Sequence, residues 1–271
     1  MTDMLQLIQV HIPFRLLRGE FLEMVMEEGI HPEISFDHRV IDQHALEDYE
    51  GVAGRFRDAG RTVTIHAPFM DLRPGALDPR IREASLGRLR QIFEIASIFR
   101  PRLVVCHSSF DIRYYVSVEE VWLHHSIATW RQILGLAEQA GAVVAFENVY
   151  EEDPEEMGLL LDALDSPRFR MCFDTGHFNA FSRTPLETWM GRIGAYITEV
   201  HLHDNRGERD EHLPVGAGTF PFRRFFDALR DRGVRAVFTV EAHSRDDLWR
   251  FIRNLEAWRE DLERLQAPDV S

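Results

Sequence analysis

Residues 79–107, PRIREASLGRLRQIFEIASIFRPRLVVCH, read as one helix followed by one strand. Pro79–Phe99 is a long amphipathic stretch that opens on proline, a residue suited to the first helical turn. Leu103–His107 is a short apolar run bounded by Pro101 and ending in a histidine. The same alternation extends in both directions. Strands are predicted at Leu5–Val10, Pro32–Phe36, Thr62–His66, Leu103–His107, Val143–Glu147, Arg170–Asp174, Tyr196–His203 and Ala236–Glu241. Helices are predicted at Gly19–Glu28, Gln43–Ala59, Pro79–Phe99, Val118–Ala140, Pro154–Leu164, Pro185–Arg192, Pro221–Arg232 and Arg245–Leu265. Gly60, Gly141 and Gly233 stand between a helix and the next strand, where a left-handed residue ends a helix well. Eight strands separated by helices are parallel βαβ units, and eight is the number that closes a (β/α)8 TIM barrel. An open doubly wound sheet is the competing architecture. Nothing interrupts the pattern, so residues 1–271 are expected to form a single domain, with Ala267–Ser271 as a loose tail.

Composition narrows the partners. The chain has 271 residues, 45% hydrophobic and 28% charged, as ordinary globular domains do. Its 45 acidic residues exceed its 31 basic ones, for a formal charge of −14. Such a surface repels phosphate backbones. Cys106 and Cys172 sit in apolar runs and are expected to be buried free thiols. The opening MTDMLQLIQVHIPF lacks the basic start and long apolar core of a secretory signal, and no run approaches the roughly 18 apolar residues of a membrane span. A cytoplasmic location is expected.

Metal-capable residues fall at the ends of these strands. The third ends in His66, the fourth in His107, the fifth in Glu147 and Asn148, and the sixth in Asp174, with His177 just beyond. The seventh gives His201, His203 and Asp204, and the eighth gives Glu241 followed by His243. Asp210 and His212 lie in the loop after the seventh. One such residue alone is ordinarily a packed or capping group. In a closed barrel, however, every C-terminal strand end converges on one mouth. So many imidazoles and carboxylates in one place require a cation. The mixture suits Zn²⁺ or Mn²⁺ first, then Co²⁺ or Fe, ahead of Mg²⁺ or Ca²⁺. Asp174 and His177 can aim at adjacent ions. Asp210 and His212, two apart, point to the same side of an extended loop and can add a further ion.

At these residues the chain resembles the xylose isomerase-like TIM barrel superfamily. That group holds sugar and sugar-phosphate isomerases and epimerases, inosose dehydratases, and the endonuclease IV branch of apurinic DNA repair enzymes. The motifs are His66-Ala67-Pro68, Glu147-Asn148, Asp174-Thr175-Gly176-His177, His201-Leu202-His203-Asp204 and Glu241, and the resemblance runs from Leu5 to Glu256. It implies two ligand sets. The isomerase and epimerase branch binds one ion through the positions of Glu147, Asp174, His201 and Glu241. The endonuclease IV branch binds three zinc ions through the positions of His66, His107, Glu147, Asp174, His177, His201, Asp210, His212 and Glu241. The loop Asn205–Arg209 is shorter than its counterpart in the endonucleases, and Arg73, Arg113, Tyr114 and Tyr115 are the few candidates for engaging a duplex.

Two activities are therefore expected, with one to three divalent ions per chain. The preferred one is a metal-dependent isomerase or epimerase acting on a small sugar or sugar phosphate. Glu147 and Glu241 then move the proton as base and acid, and Arg206 or Arg209 holds a phosphate or hydroxyl. His203 is expected beside substrate and ligands, with His201 on the metal. The alternative is an endonuclease IV-like phosphoester hydrolase with a di- or trinuclear zinc site, acting on abasic DNA or a small phosphate ester. The acidic composition favours the small-molecule substrate, and the ligand count favours hydrolysis. A metal-stabilised binding domain ranks third, because a barrel mouth is open and structural sites are closed. No membrane partner is expected, and the oligomeric state is left open. His11 is assigned a supporting or surface role, and His124 and His125 to helix packing or surface.

Overall fold

The computed structural model describes residues 4–242 and 244–266; His243 and Ala267–Ser271, both singled out above, lie outside them. Eight parallel strands close into one barrel in chain order: β1 Gln9–Pro13, β2 His31–Ser35, β3 Thr64–His66, β4 Leu103–His107, β5 Val143–Glu147, β6 Phe169–Asp174, β7 Ile197–Leu202 and β8 Val237–Val240. β1 meets β8 through Gln9 opposite Thr239 and Val10 opposite Val240, which closes the ring. The chain is thus a single-domain (β/α)8 TIM barrel, and the open sheet is excluded. Among the described residues no helix is long and apolar enough to cross a membrane. Both cysteines are buried and free.

The connecting helices form for local reasons. Asp78 caps Pro79–Phe99 by accepting from the Arg80 N–H at 2.7 Å. Its apolar face buries Leu86, Leu89, Ile92, Phe93, Ala96 and Phe99. Glu119–Ala140 ends on Gly141 at φ 70°, a left-handed conformation that glycine enters without a Cβ penalty.

Several boundaries differ from expectation. The sequence predicts the first strand at Leu5–Val10, but Met4–Gln6 is a 3-10 turn and pairing begins at Gln9. Met4 and Leu5 are apolar because they are buried in the core ahead of the strand. The helix expected over Gln43–Ala59 is two, His38–Gln43 and Leu46–Asp58, broken where His44 is extended. Arg245–Leu265 is interrupted by a 3-10 turn at Glu256–Trp258. Thr175–Phe181, not expected as a helix, starts directly from β6.

Side chains alternate along each strand, so residues two apart share the barrel interior. Val105, Ala145 and Cys172 form an apolar cluster there with Leu103. Gln9, Glu33, Thr64, Glu199 and Thr239 are buried polar residues on the neighbouring strands. Two residues further along these strands stand His11, His66, His107, Glu147, Asp174, His201 and Glu241.

Candidate metal centre

The mouth residues meet as three neighbouring sets, two of which share Glu147. In the central set, His201 Nδ1 is buried and has no hydrogen-bond partner. Carboxylate oxygens of Glu241, Glu147 and Asp174 surround it at 3.3, 3.4 and 3.6 Å. Four ligands about 2.0–2.1 Å from a tetrahedral ion stand roughly 3.3 Å apart. Glu147, Asp174 and His201 thus offer donor atoms within 4.8 Å of one another, close enough to share an ion, and a Glu241 oxygen stands beside His201. In the second set, His66 Nε2 and His107 Nε2 lie 3.2 and 3.1 Å from Glu147 Oε2. Glu147 turns one oxygen to each set, the position of a bridging ligand. In the third, Asp210 Oδ2 lies 2.8 Å from His212 Nε2 and 3.6 Å from His177 Nε2.

The electrostatics fit the same reading. Burial pushes the Glu147 carboxyl up, but the imidazoles of His107 and His201 outweigh it and hold it well below the usual carboxylate range. Burial likewise opposes ionisation of Asp174, and His177 and His203 overcome it. Burial lowers His212, while Asp210 and Glu241 raise it to about 9. Burial also lowers His177 and His201, but neighbouring acidic groups overcome it and raise both, whereas at His107 burial outweighs Glu147 and the imidazole is lowered. A divalent ion would supply the positive charge that this gathering of carboxylates calls for, so these residues are candidate metal ligands.

Other residues hold the ligands in place. The Asn148 side chain accepts from the Asp174 N–H at 2.9 Å and donates to the Asp174 carbonyl at 3.0 Å. Asp174 caps Thr175–Phe181 by accepting from the His177 N–H at 2.6 Å, which sets both ligands at one helix start. Asp204 accepts from the N–H groups of Asn205, Gly216, Gly218 and Phe220, which fixes the loop that carries Asp210 and His212. A Cβ at Gly218 would overlap Asp204 and the Asn205 carbonyl.

All nine expected ligands thus gather at one mouth. The three residues expected at the substrate are placed elsewhere. Arg206 and Arg209 have side chains 63% and 81% exposed, and Glu211 accepts from Arg206 at 2.7 Å, so neither lines the cavity. His203 is fully buried behind the ligands, with Nε2 2.9 Å from Asp174 Oδ2 and its ring stacked on His212 at 4.1 Å. The cavity over the ligands has a volume of about 500 Å³, and His11, Phe69, Arg73 and Tyr150 are among its walls. Phe69 stacks on the His107 ring at 4.2 Å. Sequence reading gives no substrate role to Phe69 or Tyr150, and it passes over the buried acids Glu33 and Glu199. The only signal for the acids is a glutamate in mid-strand, Glu33 in HPEIS and Glu199 in ITEVHL.

The family described as xylose isomerase-like TIM barrel matches residues 23–267. The uncharacterized protein MJ1311 of Methanocaldococcus jannaschii is 29% identical over 209 residues, covering 74% of this chain and 70% of that protein. The crystal structure of a D-tagatose 3-epimerase-like protein is similar with a TM-score of 0.78 at 24% identity, covering 95% of this chain and 98% of its own. The TTHB071 protein from Thermus thermophilus, soaked with ZnCl2, gives a TM-score of 0.73 at 22% identity over 94% of this chain and 98% of its own.

Proposed function

The chain belongs to the xylose isomerase-like TIM barrel family, and from there we propose that it is a divalent-metal-dependent isomerase or epimerase of a small sugar or sugar phosphate. The observation that carries the reading is the ring of Glu147, Asp174 and Glu241 oxygens around the unpartnered Nδ1 of His201. The similarity to a D-tagatose 3-epimerase-like protein supports it. Glu147, Asp174, His201 and Glu241 would hold the ion. Bound there, Zn²⁺ or Mn²⁺ supplies Lewis acidity, which polarises a carbonyl and acidifies the neighbouring C–H. Glu147 and Glu241 approach from β5 and from the end of β8, and both line the cavity. One accepts the proton from carbon and the other returns it. His107 and His201 favour the ionised form of Glu147 that such work needs. Phe69 and Tyr150 offer apolar walls to the C–H face of a sugar, and the cavity has the size of a small-molecule site.

Glu147→Gln and Glu241→Gln are each expected to lower turnover on a responsive sugar or sugar phosphate at least about 100-fold, the usual weight of a general acid or base. Their circular dichroism should match the parent. Full activity in both variants contradicts the assignment.

A second reading, a phosphoester hydrolase with a di- or trinuclear site, is favoured by the convergence of His66 and His107 on Glu147 and by the His177–Asp210–His212 set. Within it, a small phosphate ester fits better than abasic DNA. Of the residues expected to engage a duplex, Arg113 is held by Asp111 at 2.9 Å and Tyr115 is buried. Elemental analysis separates the readings: one ion per chain supports the isomerase, and about three support the hydrolase.

A further inference from the structure

Glu33 lies in the middle of β2, fully buried and away from any helix start it could cap. A carboxylate there is costly unless it is paired. Its Oε2 lies 3.2 Å from His201 Nε2, and both side chains are inaccessible to solvent. The two nitrogens of this imidazole therefore face different groups: Nε2 faces one carboxylate below, and Nδ1 faces the three carboxylates of the central set.

We propose that Glu33 is a positioning residue that accepts a hydrogen bond from His201 Nε2–H and so presents the Nδ1 lone pair to the metal. The inference rests on the metal-dependent reading above and extends it to a residue outside the ligand set. The argument is one of proton placement. A neutral imidazole carries one N–H, and the hydrogen bond made by one nitrogen decides the tautomer. If Nδ1 carried the proton, the Nε2 lone pair would point at the Glu33 carboxylate and the ligand position would be blocked. With Nε2–H given to Glu33, both conflicts vanish. The ring is also fixed in orientation, because Glu33 on β2 and His201 on β7 are held by separate strands of the same closed barrel. Carboxylates behind ligand histidines act this way in general, and also raise the basicity of the ligand.

The test uses the full chain labelled with 15N at histidine and loaded with Zn²⁺, which is diamagnetic. In the parent protein, one slowly exchanging imidazole N–H should belong to Nε2 of His201, assigned by its absence in His201→Gln. Glu33→Ala should lose that protected signal and bind Zn²⁺ about 10–100-fold more weakly in competition with a chromophoric chelator. Glu33→Gln keeps an acceptor oxygen and should retain the signal with an intermediate affinity. Unchanged Zn²⁺ affinity in Glu33→Ala, or ligation of His201 through Nε2, overturns the proposal while leaving the metal-dependent reading intact. The parent spectrum decides the tautomer even if Glu33→Ala does not fold. A parent protein that binds no Zn²⁺ overturns the metal-dependent reading, and this inference with it.

Discussion

Glu147 commits its two carboxylate oxygens to different neighbours, one to His66 and His107 and the other to His177 and His201. Four residues further on, Glu151 has the opposite electrostatics. Burial pushes its carboxyl up to about 7, although Ser108 and the Val149 N–H both donate to it. A folded value above the unfolded one means that the fold prefers the protonated form. That contribution is present in full below about pH 4.5 and is lost as pH rises towards 7. Glu151→Gln, which keeps the neutral form, should therefore gain stability over the parent across that window, reaching about 3 kcal/mol above it. Urea unfolding at pH 5 and pH 7.5 measures this, and a difference that does not grow with pH refutes it. At this scale the candidate ligands are legible because strand ends in a barrel converge, whatever their sequence separation. Glu33 and Glu199 are not, because a lone acid in a strand suits a solvent-facing position equally well. Arg206 and Arg209 look available to substrate only because Glu211, their partner, has no motif of its own.

The helix Thr175–Phe181 shows how an element is made by its surroundings. Its sequence begins Thr-Gly, a poor start by propensity, and it has only seven residues. Asp174 supplies the cap, and the Thr175 hydroxyl donates to the carbonyls of His201 and His203, at 2.9 and 2.7 Å. Gly176 is required because a Cβ there would overlap the His203 ring. That ring cannot retreat, since Asp174 holds it and His212 stacks against it. Gly176→Ala should destabilise the protein by about 1–3 kcal/mol, as overpacking does elsewhere. Chemical denaturation checks it, and a neutral effect would mean that the ring has room to move. β4 and β5 can be placed to the residue from sequence because both are continuous apolar runs with clear breakers. β1 is placed too early because burial at Met4 and Leu5 gives the same apolar signal as pairing does.

For the whole molecule, closure of the barrel is what turns scattered residues into a site. The strands contribute one or two groups each, and these would not meet in an open sheet. The barrel, the family and the gathering of His, Asp and Glu side chains at its mouth can all be reached from sequence, since periodicity and strand-end chemistry agree. The substrate cannot, because the loop residues that wall the cavity, such as Phe69 and Tyr150, have neighbours that depend on tertiary structure. If cations balance the mouth, removing them must cost stability: chelation should lower the melting temperature, and added Zn²⁺ or Mn²⁺ should restore it in a concentration-dependent way. The most direct measurement is anomalous diffraction from a crystal grown with Zn²⁺. A peak enclosed by Glu147, Asp174, His201 and Glu241 is the predicted result. The same four side chains gathered around water alone, at saturating metal, would contradict the account.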